Sequence, residues 1–218
     1  MIEENNTMVT SAIFSEDKTH RYLLNKEWDA SLLNTMVIML QAGKSNALIQ
    51  DVTTCNIINC VSELDEEYGS VTIVNLFSRV DLELNSDIDI KDFTNQENDK
   101  QIEQAAEKAK IIVLAYGKAH ETSLCVKQRV DEIISLLEKY KGKMFVIGDQ
   151  RGRKGFSAMY PRVRNKWTLY KAYEEEKKED KKEENDKVEE NIEAEQTKQQ
   201  STQNQKNNNG TRAKKKQK

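Results

Sequence analysis

Apolar positions along this chain come in two rhythms. Four short stretches are apolar almost without interruption: Thr35 to Leu40, Val71 to Val74, Ile111 to Ala115 and Met144 to Ile147. A strand covered on one face alternates apolar and polar residues, whereas one covered on both does not. The four stretches therefore predict parallel strands buried on both faces. Between them, apolar residues recur at helical spacing. Ile57, Ile58, Val61 and Leu64 follow a cap at Thr53 or Thr54 and stop before Gly69. Ile102, Ala105, Ala106 and Ala109 follow Asn95, and Val126, Val130, Ile133, Ile134 and Leu137 follow Thr122 or Ser123 and end at Gly142. Each stripe predicts a helix with one buried face. Four such strands alternating with three such helices predict a right-handed parallel α/β sheet.

The flanks behave differently. Ser11 to Ser15 and His20 to Leu24 read as two short strands around Glu16-Asp17-Lys18, an edge hairpin. Asp81 to Phe93 reads as a loop with one short helix. The expected fold is a single three-layer α/β domain over residues 1–170. It has a four-stranded, mainly parallel sheet, helices on both faces and the N-terminal edge hairpin. Beyond Tyr173 only Val188, Ile192 and Ala194 are apolar before the basic end. So few apolar groups cannot offset chain entropy, so 171–218 is expected to be a disordered charged tail.

Charge adds to the picture through its distribution. The net charge of −3 is small, but Glu174 to Glu195 is dominated by acids, while Gln196 to Lys218 has none and ends Lys214-Lys215-Lys216-Gln217-Lys218. The two blocks attract each other, the basic end adds non-specific nucleic-acid affinity, or the tail only solubilises. Cys55, Cys60 and Cys125 form no CxxC pair, and no secretory apolar region opens the chain. Reduced thiols in a cytoplasm are expected, with Cys55 and Cys60 as small core residues. No Cys/His cluster has metal-ligand spacing, so neither metal nor cofactor is expected. No apolar run approaches the ~20 residues of a membrane helix, so no membrane partner is expected.

In open α/β sheets ligands bind beyond the carboxyl ends of the strands. There the sequence places Gln41 to Asp51, Asn75 to Arg79, Tyr116 to His120, and Gly148 to Gly155 followed by Met159 to Arg164. Lys44, Arg79, Lys118, Arg151 and Arg153 give that rim positive potential. Plainer readings stand beside these. Gly43 permits a turn, Asp51 caps a helix, and His120 caps a helix or lies on the surface. Gln41-Ala42-Gly43-Lys44-Ser45 lacks the first glycine of a phosphate-binding loop. A GxSxG elbow is absent, and Cys125 with His120 makes no dyad because the cysteine falls on the apolar stripe. Asn75, directly after an apolar strand, needs partners if buried and is suited to reading a planar ligand's edge.

Taken in order, these motifs resemble a bacterial and phage family known as domain of unknown function 1643. The likeness runs from about His20 to Trp167. It rests on Arg21-Tyr22-Leu23, Asp51 with Thr53, Val74-Asn75-Leu76-Phe77, Glu97-Asn98-Asp99, Tyr116-Gly117, and Gly155 with Tyr160-Pro161. The family's Asn-Pro-Ser reads Gln41-Ala42-Gly43 here, and its His-Pro histidine reads Tyr160. More distantly, the layout is similar to the uracil-DNA glycosylase superfamily.

That likeness implies hydrolysis of the N-glycosidic bond of uracil or a related base in DNA, on a mobile genetic element. Asp51 or Gln41 would orient water, Asp51 also as base, and Tyr160 would hold the leaving base or wedge into the duplex gap. Asn75 would read a flipped pyrimidine, with Phe77 or Tyr116 stacking on it and His120 nearby. Lys44, Arg79, Lys118, Arg151, Arg153, Arg162 and Arg164 would bind phosphates. The expected partner is DNA, single-stranded or with a flipped base, and the expected state is a monomer. A non-catalytic nucleic-acid or protein-binding module and a nucleotide- or small-molecule-binding α/β enzyme are the alternatives.

Overall fold

A computed structural model describes residues 1–80 and 90–173. The chain runs through β1 (Val9–Phe14), β2 (Arg21–Glu27), β3 (Leu33–Gln41), α1 (Val52–Ser62), β4 (Tyr68–Phe77), α2 (Gln96–Lys108), β5 (Ile111–Leu114), α3 (Leu124–Leu136), β6 (Met144–Gly148) and β7 (Thr168–Lys171). All seven strands form one sheet in the order β1-β2-β4-β3-β5-β6-β7. Strands β4, β3, β5 and β6 are parallel, as their unbroken apolar runs predict. Strands β1, β2 and β7 join antiparallel at the two sides.

Seven strands replace the expected four for two reasons. The hairpin is hydrogen-bonded into the sheet, Leu24 pairing with Ile73 and Lys26 with Val71. The second addition, β7, is too short to show a pattern, and it takes the sheet past the expected boundary at residue 170. Ala172 N–H donates to the Met144 carbonyl at 3.0 Å. The tail from 174 onward, and residues 81–89 of the expected loop, lie outside the described residues; the short helix of that loop is a 3-10 turn at Ile90–Asp92.

Alternation along each strand feeds two cores. Val37, Val71, Ile73, Val113 and Ile147 meet Ile57, Cys60 and Val61 of α1. On the other face Met36, Ile38, Val74, Ile112 and Met144 meet Ile102 and Ala106 of α2 and Val126, Val130 and Ile133 of α3. Helices thus cover both faces, as the stripes predict. Asn95 and Ser123 cap α2 and α3 through their side chains. Asp51, rather than Thr53 or Thr54, caps α1, accepting from Thr54 N–H at 2.7 Å. Cys60 is buried as expected and its thiol is pushed up to about 11 by that burial, but Cys55 is exposed. It sits on the outer side of α1, where a stripe of neighbours at one and two residues' distance does not extend.

The strand order sets where a ligand can enter. From β3 the chain moves through α1 to β4 on one side; from β5 it moves through α3 to β6 on the other. The connections therefore diverge at the carboxyl ends of β3 and β5, opening a crevice there.

Candidate functional site

The β3–α1 connection is folded around buried cations. Arg21, only 3% exposed, donates to the Ser45 carbonyl at 3.0 Å and to Asn75 Oδ1 at 3.1 Å. Burial lowers its pKa to about 10 against the opposing pull of Asp51. Lys26 is fully buried and reaches the Asn46 and Ala47 carbonyls at 3.4 Å. Ser45 Oγ lies 3.0 Å from Thr54 Oγ1 and accepts from Asp51 N–H. Burial raises the pKa of Asp51, but hydrogen bonds from Ser45 and from the Thr54 backbone and hydroxyl, with the Arg21 charge, outweigh it and hold the carboxyl below its ordinary value. Asp51 is half-buried and ionised at neutral pH. A Cβ on Gly43 would lie 2.8 Å from Asp51 Oδ2, so glycine there leaves room for the carboxylate.

The end of β4 is tied down from the opposite face. Asn98, fully buried on α2, donates from Nδ2 to the Asn75 carbonyl at 3.1 Å, to the Leu76 carbonyl at 3.4 Å and to Thr94 Oγ1 at 3.1 Å. Arg129 of α3, 2% exposed, donates to the Leu76 carbonyl at 2.9 Å and pairs with Asp99 and Glu132. The Asn-Leu-Phe and Glu-Asn-Asp motifs are thus one physical unit. Asn98 of α2 and Arg129 of α3 supply the donors that the carbonyls at the end of a buried strand require.

These contacts set the reach of two expected base-binding residues. Asn75 is 1% exposed with its amide oxygen held by Arg21. Phe77 is fully buried and packs edge-on against Phe93 at 6.2 Å, so its ring has no open face for a base. An apolar strand running to its last residue places Phe77 in the core.

The crevice at the strand-order reversal is a cavity of about 630 Å³. Met39, Leu40 and Ala115 floor it, and Tyr116, Phe156 and Tyr160 wall it. Phe156 and Tyr160 are stacked with centroids 4.6 Å apart and planes 11° from parallel. Tyr116 is brought to the rim by a bridge to Ser157, and burial pushes its hydroxyl up to about 12, so it is a neutral donor. Gly117, with φ of 72°, lets the chain turn away where a side chain would meet Ser157. His120 lies behind, edge-on to Tyr116 at 5.7 Å.

Lys118, Arg153 and Arg162 border this cavity, and the last two also border a neighbouring groove of about 590 Å³. There they join Arg151 and Lys166, with Asp149 the one carboxylate. Asp149 is already engaged: its side chain accepts from the Arg151 and Arg153 N–H groups and pairs with the Arg153 guanidinium. The Arg153 contact leads those that hold its carboxyl below the usual range. The turn depends on Gly152 and Gly155 at positive φ.

Of the expected residues, Lys118, Arg151, Arg153, Arg162, Tyr116 and Tyr160 come together. Lys44 stands by a separate cavity beside the hairpin, Arg79 reaches the Asp92 carbonyl, and Arg164 is exposed outside the groove. Gln41 is half-buried and donates to the Arg79 carbonyl. Phe156, Lys166 and the buried Arg21 were not singled out by sequence reasoning as functional. Phe156 four residues before Tyr160 was the one legible signal for an aromatic wall.

A family model described as a protein of unknown function (DUF1643) matches residues 21–156. The chain belongs to that family. The match takes in Arg21, Asp51, Asn75, the Asn98 motif and Phe156, and stops before Tyr160-Pro161. The family carries no activity in its description, so it adds nothing to the likeness to uracil-DNA glycosylases. No curated protein matches the chain significantly. Among solved structures, the Leu-bound hetero-hexameric glutamate dehydrogenase from Thermus thermophilus is similar at 11% identity and a TM-score of 0.25. It covers 65% of this chain, and the chain spans 33% of that one; so low a score carries no argument. Among the described residues no helix is long and apolar enough to cross a membrane.

Proposed function

We propose that this protein binds single-stranded nucleic acid, one unstacked base entering the crevice and the backbone lying in the cationic groove. One observation carries the reading: the aromatic cavity at the strand-order reversal opens into that groove through the shared Arg153 and Arg162. An aromatic wall accepts any base by its face, and arginines accept phosphate in two-point contacts.

The test is anisotropy of a labelled oligonucleotide of about 15 nucleotides, titrated across salt. Arg151, Arg162 and Lys166 are available to phosphate once Arg153 is assigned to Asp149 and Lys118 to Glu121. Three contacts give a slope of log K against log salt of about −2 on a single strand. Arg151→Ala/Arg162→Ala should bring it to about −0.7. Binding that ignores salt, or is unchanged in the double variant, would refute the groove.

Base excision is the second reading, favoured by Asp51 as a half-buried, ionised carboxylate capping α1 in the β3–α1 connection. The residues lining the crevice include neither Asp51 nor any other acid, so this reading requires Asp51 to act from the α1 cap outside that lining. Release of uracil from a single-stranded oligonucleotide, lost in Asp51→Asn, would establish it. Binding without release would leave the binding function alone.

A further inference from the structure

The two edges of the sheet are protected differently. Strand β7 has four residues and ends in Lys171, and the Lys154 ammonium lies 5.0 Å from the centroid of its Tyr170 ring. Strand β1 has six residues, Val9-Thr10-Ser11-Ala12-Ile13-Phe14, with no charge and no proline. Its one irregularity of register lies at the last step, between Ile13 and Phe14. An open edge of that kind is a template for another strand, and lysine, proline or a covering loop normally blocks it.

Exposed apolar side chains stand beside this edge on both faces. Val9 and Ile13 are 60% and 40% exposed on the face shared with Leu23 and Asn25. On the other face Leu48, 87% exposed, stands with Ala12 and Phe14. Its loop is braced: Asn46 Oδ1 accepts from Leu48 N–H and Ile49 N–H at 2.8 Å, while Lys26 holds the Asn46 and Ala47 carbonyls from below. These side chains are held out in water by defined contacts.

We propose that β1 pairs antiparallel with β1 of a second copy, joining the two sheets edge to edge in a homodimer. A two-fold axis perpendicular to the sheet keeps each face on its own side, so opposed residues must be an even number apart. Centring on Ser11 sets Val9 against the partner's Ile13 and Met8 against the partner's Phe14, with the small serine on the axis. Centring on Ala12 would instead oppose Val9 and Ile13 to serines, and centring on Thr10 would oppose Ile13 to Thr7. The Ser11 register alone matches the exposed apolar residues to one another. The paired strand carries no charge, so no like charges meet within this register. A six-residue pairing falls short of a standard interface of roughly 800 Å² per partner, which places dissociation on the order of 1–100 µM.

Sedimentation equilibrium of the full chain should show mass rising from 25.2 kDa towards twice that value with concentration. Val9→Lys/Ile13→Lys opposes lysine to lysine and should weaken association at least tenfold, with circular dichroism unchanged because both sites face solvent. In a Cys55→Ser background, Ser11→Cys should form a disulfide to its own symmetry mate under oxidised glutathione, since opposed strand residues lie within roughly 4.4–6.8 Å. Thr10→Cys should cross-link far more slowly. A monomer throughout the concentration range, an undiminished dimer in the lysine variant, or equal cross-linking at positions 10 and 11 would overturn the proposal.

Discussion

Replacing Arg21 by methionine keeps most of its volume and removes its charge and donors. The Ser45 carbonyl and Asn75 Oδ1, now at 3.0 and 3.1 Å from the guanidinium, would be left buried without that donor. An orphaned acceptor costs about 1–3 kcal/mol, and relief of burying the cation returns part of it. The expected loss is therefore about 3 kcal/mol, a large share of the roughly 5–15 kcal/mol that holds a domain folded. With a urea slope of about 2 kcal/mol/M the unfolding midpoint should fall by about 1.5 M. Arg21→Lys, which keeps one charged donor, should recover part of that. The acid limb should move as well. The depressed pKa of Asp51 contributes stability that is present above the unfolded value near 3.8 and lost as pH falls through the folded value. Without the Arg21 charge the depression shrinks, so Arg21→Met should show a shallower loss of stability below about pH 4. A midpoint shift under about 0.3 M would refute the account, because water would then be satisfying both acceptors.

Three further outcomes follow from the same contacts. Asn98→Ala removes the donor shared by the Asn75 and Leu76 carbonyls and Thr94, and should cost about 2 kcal/mol in urea unfolding. A Cβ at Gly69 would lie 1.9 Å from the Asp29 carbonyl oxygen, so Gly69→Ala must displace backbone and should cost about 3 kcal/mol in thermal or chemical unfolding. The Asp149 carboxyl is held low chiefly by Arg153, so its stabilisation of the turn is present above about pH 4 and fades as pH falls further. Asp149→Asn should flatten that part of the pH profile, while freeing Arg153 to steepen the salt dependence of oligonucleotide binding.

The elements with strong local signals were legible in the sequence. Unbroken apolar runs identify β3, β4, β5 and β6 because both faces of those strands are covered, and Asn95 and Ser123 cap helices through contacts three residues away. Charge at the carboxyl rim was legible too, and Arg151, Arg153 and Arg162 gather as their positions imply. What the tertiary structure decided is which side chain each of those loops presents. Asn75 and Arg21 are 54 residues apart in sequence, and their contact turns an expected reader of bases into a buried partner. Phe77 went to the core and Phe156 to the crevice because one ends a covered strand while the other follows a turn packed against Ile147. Pattern read β1 and β2 as an edge hairpin but left open their register on β4, and it missed β7. Antiparallel edge strands are short and half-covered, so their pairing is chosen by long-range contacts rather than by the residues within them.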